Sequence, residues 1–236
     1  MGRLLICLMT LLGVVTAPAY AQDANEYLQL ALKSSSATTQ IEYFTKALEL
    51  NPKLAVAYAK RGMLYYFQER YDRVIEDYEN YARLVPGDAD GYRMLGMGYL
   101  RKGRLQEAIS SFNKALQVQP RLLTAITYRA EAERLSGNDE RAILDSTEAV
   151  GLRGDPRVIA DAYVIRAKVY RKLGREELAV ADVQASLQID PRYVFYRALV
   201  SYANPEDVRR MGMVTIIALA FAAIFRITIA PPKKKQ

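Results

Sequence analysis

Proline recurs at Pro52, Pro86 and Pro120, 34 residues apart each time, and a shifted series continues at Pro156 and Pro191. A fixed period of this length constrains the fold more than any single residue does. A chain that repeats itself builds a stack of like units, each contacting its neighbours, rather than one closed core. Other residues keep the same step: Tyr58 and Tyr92, Gly62 and Gly96, Tyr65 and Tyr99, Tyr78 and Phe112.

The third copy, "GYRMLGMGYLRKGRLQEAISSFNKALQVQP", states the unit most clearly. Tyr92, Leu95, Gly96 and Tyr99 fall at helical spacing, Gly103 predicts a turn, and Ala108, Phe112 and Ala115 form a second apolar stripe that ends before Pro120. Small residues at Gly96 and Ala108 let two helices approach closely, while Tyr92, Tyr99 and Phe112 fill the space between them and the next pair. The unit is a helix–turn–helix.

These residues resemble the tetratricopeptide repeat family, whose pattern runs W-x2-L-G-x2-Y, then A-x3-F, then P. The third copy follows it with Tyr92 in place of tryptophan. The second keeps Tyr58, Gly62, Tyr65, Tyr78 and Pro86 but has Arg61 for the leucine and Val74 for the alanine. The fifth keeps Tyr163, Tyr170, Gly174, Ala179 and Pro191, with Ala167 at the glycine position and Val183 at the aromatic one. In the fourth, Glu133 replaces the tyrosine, Ser146 replaces the phenylalanine, and Pro156 comes two residues late. The first copy keeps only Phe44 and Ala47. The resemblance implies an all-α fold: a superhelical array of about five helix pairs, with a degenerate first repeat in residues 22–56 and the array proper in 57–193.

The two ends differ from this middle. Met1 to Ala21 has a basic start at Arg3, an apolar stretch from Leu4 to Val15 and small residues at Ala19-Tyr20-Ala21, the layout of a signal peptide cleaved before Gln22. An uncleaved anchor is the alternative, although the stretch is short for a span. Cys7 lies inside this leader and no other cysteine follows.

At the other end, residues 194–204 are expected to cap the last pair. Asn204-Pro205-Glu206-Asp207 reads as a helix start, with Asn as cap, Pro at the first position and acids in the first turn. From there residues 205–230 are expected to form a transmembrane anchor. Its apolar part, Met211 to Ala230, is about 30 Å long as a helix, which matches a hydrocarbon core. The Val, Ile, Leu and Phe side chains contribute on the order of −3 to −5 kcal/mol on an insertion scale, against at most about +3 kcal/mol for an arginine. Arg226 lies near the inner end, where its guanidinium reaches headgroups beside Lys233, Lys234 and Lys235. Pro231 and Pro232 end the helix, leaving 231–236 as a basic cytoplasmic tail.

The formal net charge is +7, and Arg3, Arg209, Arg210, Arg226, Lys233, Lys234 and Lys235 equal it in number. No acidic residue lies in residues 1–21 or 209–236, so residues 22–208 are neutral. The excess charge flanks or enters apolar segments, where it sets membrane topology, and a nucleic-acid partner is not expected. The expected arrangement is a single-pass protein of the inner membrane, with its repeats on the periplasmic or exoplasmic side and its C-terminus in the cytoplasm. The "KKKQ" ending also fits a dilysine retrieval tail of a eukaryotic secretory protein. Should the leader not act as a signal, the chain would be tail-anchored with its repeats in the cytosol.

No histidine is present, and the mature chain would have no cysteine, which removes thiol catalysis, histidine acid–base catalysis and the usual zinc sites. Gly96-Met97-Gly98 falls within a predicted helix rather than a phosphate loop. Glu176-Glu177 and Asp139-Glu140 start second helices, where helix-dipole complementarity explains them. No enzymatic activity, cofactor or metal is expected.

Binding remains. The resemblance implies that the first helix of each pair lines the concave surface, which selects Lys60, Met63, Phe67, Arg93, Met94, Met97, Tyr128, Arg134 and Lys168 as a groove for a protein or peptide. Methionine adapts to an apolar partner, and arginine and lysine attract carboxylates. The competing reading is that Met63 and Met97 pack between repeats while Arg134 and Lys168 are solvated. Some family members hold two carboxylates with lysine, asparagine and arginine; here Ala59, Met63, Met94, Thr124 and Tyr128 stand where those residues would be needed, so that mode is not expected. The expected function is a membrane-anchored interaction scaffold or assembly factor. The alternative is a structural subunit of a membrane complex whose span packs on others through Ala218, Ala222 and Ala223.

Overall fold

The computed structural model describes residues 23–189, which form ten α-helices. They make five antiparallel pairs: α1 (Ala24–Lys33) with α2 (Ala37–Leu50), α3 (Ala55–Phe67) with α4 (Tyr71–Leu84), and α5 (Ala89–Arg101) with α6 (Leu105–Val118). Then follow α7 (Leu123–Leu135) with α8 (Asp139–Gly151), and α9 (Pro156–Lys172) with α10 (Glu176–Ile189). Each helix packs on the next, so the chain stacks as the period predicts. The first repeat, barely legible as a motif, is a complete helix pair. Asp23 caps α1 by accepting from the Glu26 amide at 2.7 Å, and Ser36 caps α2 by accepting from that of Thr39.

Pro52, Pro86 and Pro120 occupy the turns between pairs. Pro156 does not. It is the first residue of α9, behind the Asp155 cap, where a proline loses no helical hydrogen bond. Its late position therefore adds a turn to α9, which runs 17 residues where α7 runs 13. Within pairs, Gly103, Gly137 and Gly174 take positive φ at the turn, and the same place in the second repeat is held by Glu69 at φ 58°.

The core lies between layers of neighbouring helices. Its main cluster runs from Tyr65 on α3 to Ala132 on α7 and includes the fully buried Phe112. Close approach inside a pair follows a small-against-large rule. A Cβ on Gly62 would sit 2.8 Å from the Tyr78 ring, and one on Gly96 would sit 2.7 Å from that of Phe112. Where the fourth and fifth repeats carry Ala130 and Ala167 instead, the partner positions hold the smaller Ser146 and Val183. A larger residue on the first helix is thus matched by a smaller one on the second, which avoids overpacking at the contact. The fourth repeat has a more polar interior: Thr127, Glu133, Asp145 and Ser146 are all buried, and the Ser146 hydroxyl donates to the Ala142 carbonyl at 2.6 Å.

A second element of the interior recurs. Arg61 donates to Asp77 through Nε at 3.0 Å and Nη2 at 2.6 Å; Arg129 does the same to Asp145 at 2.7 and 2.7 Å, and Arg166 to Asp182 at 2.8 and 2.7 Å. In each case the remaining nitrogen reaches back to the preceding pair, to Thr45, Asn113 or Thr147. Arg61, the departure from the motif's leucine, is therefore a pairing residue that joins three helices. The third repeat has Leu95 and Ser111 at these positions, and both are buried.

No helix among the described residues is long and apolar enough to cross a membrane. The leader at 1–21, the capping segment 194–204, the span 205–230 and the tail 231–236 lie outside the described residues.

Candidate functional site

Two layers are exposed to solvent in such a stack, and the packing tells them apart. Among the described residues, α7 packs directly on α9 and α5 touches α7, while no pair of even-numbered helices packs to the same degree. Elements on the inside of a curve lie closer together than those outside, so α1, α3, α5, α7 and α9 form the inner layer.

On that layer α3 differs from the rest. Val56, Lys60, Met63 and Phe67 are exposed, and their spacing of i, i+4, i+7 and i+11 places them on one helical face. The apolar members are 51%, 41% and 76% exposed, with Phe67 the highest. Tyr66 stands beside Phe67 with ring centroids 6.3 Å apart and an edge-on tilt of 78°, and it makes the same kind of contact with Tyr71 at 5.9 Å. Across from it Arg101, the last residue of α5, points its Nε at the Tyr66 hydroxyl at 3.4 Å. Burial lowers the Arg101 pKa, but the phenols of Tyr66, Tyr71 and Tyr128 outweigh burial and raise it, so its charge persists.

The residues expected to line the groove separate into distinct environments. Lys60, Met63 and Phe67 are exposed together on α3. Met94 and Met97 are not groove residues: they are only 8% and 6% exposed and belong to the main core cluster with Ala125 and Ala132. The reason is that α5 packs against α7, which turns this part of its surface into an inter-repeat contact. Tyr128 is half-buried against the same cluster. Arg93 is half-buried and donates to Asp90 at 2.7 Å; Arg134 is half-buried and forks onto Glu131 at 2.8 and 2.9 Å, bonds that raise its pKa. Lys168 is half-buried on α9.

Val56, Tyr66 and Arg101 complete the α3 face and were not among the residues chosen from sequence. Val56 was legible, seven residues before Met63 on the same helical face; Arg101 stands 34 residues after Phe67 and follows from the period. The Arg–Asp pairs were legible as well, as an arginine followed 16 residues later by an aspartate in three repeats. A separate concavity at the turns of the last two pairs is lined by Asn138, Asp139, Ile143, Leu173 and Arg175, with Asp139 held by Lys172 at 2.8 Å.

Comparison with known proteins agrees with this architecture. Tetratricopeptide repeat models match residues 89–122 and 160–193. In sequence the chain is 27% identical over 122 residues to the small glutamine-rich tetratricopeptide repeat-containing protein 2 of Mycosarcoma maydis, a match covering 51% of this chain and 35% of that protein. It is 30% identical over 105 residues to the heat shock protein STI1 of Saccharomyces cerevisiae, covering 44% of this chain and 17% of STI1. The chain therefore spans only a minor part of the length of either relative. Among solved structures it is similar to YrrB, described as a TPR protein with an unusual peptide-binding site, with a TM-score of 0.61, 22% identity, and coverage of 75% of this chain and 92% of that one. It is also similar to MamA of Desulfovibrio magneticus RS-1, with a TM-score of 0.64, 14% identity, and coverage of 72% and 96%. At these identities the structural likeness is one of fold.

Proposed function

We propose that this chain, an array of tetratricopeptide repeats, is a scaffold that holds a protein or peptide partner on its inner layer. The observation that carries the reading is the α3 face, where an inner helix leaves Val56, Met63 and Phe67 open to solvent beside an aromatic pair. Monomeric proteins seldom leave apolar side chains grouped in this way, and such groups mark contact sites. YrrB, a TPR protein described as having an unusual peptide-binding site, shares this fold, which supports the reading.

The scaffold works at a membrane surface, facing the periplasm, with Met1 to Ala21 as its leader and Met211 to Ala230 as its anchor. What supports this is the charge distribution: the repeats are neutral, and the surplus cations flank the apolar ends.

Two measurements test the proposal. A reporter fused after Gln236 should be active only if it is a cytoplasmic one; activity of an exported reporter there would overturn the topology. Photo-crosslinkers placed in intact cells at Phe67, Arg134 and Lys168 should capture a protein, whereas capture only from even-numbered helices would remove the inner layer as the binding face.

A further inference from the structure

Resting on that reading, we infer that the α3 face selects an acidic amphipathic helix of a partner protein, with bulky apolar side chains against Val56, Met63 and Phe67 and carboxylates against Lys60 and Arg101. The charge arrangement is the ground for this choice. Several other cations along the inner helices have carboxylate partners of their own: Arg93 has Asp90, Arg134 has Glu131, Arg171 has Glu176 and Lys172 has Asp139. Lys60 and Arg101 form no ion pair among the described residues, and the groups that act on Arg101 are phenols, those of Tyr66, Tyr71 and Tyr128, rather than carboxylates. The carboxylates next in the chain are Glu69, on the turn, and Asp72, which Lys102 already holds at 3.0 Å. Positive charge without an internal partner is thus gathered at the apolar stripe, and its complement is negative.

Shape narrows the occupant further. Val56 to Phe67 spans about 16 Å along the helix axis, three turns, and presents its apolar members at the spacing by which one helix packs on another. An amphipathic helix of similar length offers matching i, i+4, i+7 and i+11 anchors, the helix-in-groove mode of recognition. The inner layer is open here: α3 packs chiefly on α2 and α4, while the direct inner-helix packing is strongest between α7 and α9.

The experiment is selection of a displayed random library of peptides about 15 residues long, roughly four helical turns, on the purified full chain in detergent, followed by fluorescence anisotropy of the enriched peptides. Enriched sequences should combine Leu, Phe or Met at helical spacing with Asp or Glu, and Phe67→Ser should weaken their binding about tenfold or more, since exposed aromatic anchors dominate such contacts. The double variant Lys60→Glu with Arg101→Glu should enrich basic amphipathic peptides instead, a gain that misfolding cannot produce. Enrichment without charge preference, no enrichment at all, or self-association of the chain that Phe67→Ser abolishes would each overturn the inference. If Arg134 and Lys168 crosslink a partner in cells while these selections fail, the scaffold reading stands and only the assignment to α3 falls.

Discussion

Arg61 holds Asp77 in a two-bond fork, and a third bond from the same guanidinium, 2.9 Å to the Thr45 hydroxyl, ties the pair to the helix before it. Asp77 is 1% exposed. Burial pushes its carboxyl above the ordinary range while the Arg61 fork opposes that push. The Tyr58 and Tyr65 ring centroids both lie 5.9 Å from the guanidinium carbon, within cation–π range.

Asp77→Ala should therefore destabilise the array by about 3 kcal/mol, because it leaves a buried cation without its partner. The double change Arg61→Leu with Asp77→Ser copies the Leu95 and Ser111 of the third repeat and should recover most of that loss, since removing both charges avoids the penalty. Urea denaturation of the single and double variants measures both. A double variant no better than the single one would mean that the pair is not the source of the cost.

The fit of Gly96 against Phe112 makes a second prediction. Gly96→Ala should cost about 1 to 3 kcal/mol by overpacking, because the added methyl meets a fully buried ring. Combining it with Phe112→Val reproduces the Ala167 and Val183 combination of the fifth repeat and should cost less than the sum of the separate changes. A double-mutant cycle followed by thermal unfolding reads the coupling.

Glu69 occupies a left-handed turn position that three other repeats give to glycine. A side chain there carries roughly 1 kcal/mol of strain, so Glu69→Gly should stabilise the protein by up to about that amount, offset in part by the added freedom of the unfolded chain. The midpoint of urea unfolding should rise with unchanged slope. A fall would show that the Glu69 side chain makes up for its backbone.

Alkaline pH should loosen the middle of the array. Burial pushes the Tyr78 phenol up to about 12; the hydrogen bond to Asp88 does the same for Tyr81, and burial together with Glu79 for Tyr99. A phenol whose pKa is higher folded than unfolded stabilises fully below the unfolded value of about 10 and loses that contribution as pH rises through the folded one. Stability should hold up to about pH 10 and then fall toward 12. Tyr78→Phe should cost about 1 kcal/mol at neutral pH through loss of its bond to the Ala59 carbonyl, and should reduce the alkaline decline. Unfolding monitored alongside phenolate absorbance checks both.

The period and the residues that obey it were enough to establish stacked helix pairs, their turns and their buried aromatics, because each follows from spacing within one or two helical turns. Gly96 and Ala108 read as close-contact positions, and Glu176-Glu177 and Asp139-Glu140 read as helix starts; all lie where expected. What lay beyond sequence was which face of an inner helix meets its neighbour. Met63 and Met97 are one repeat apart and equivalent in the motif, yet one is exposed and the other buried. Local spacing is the same for both. The difference comes from how tightly successive inner helices pack, a property of side chains on other repeats that only the assembled stack brings into contact.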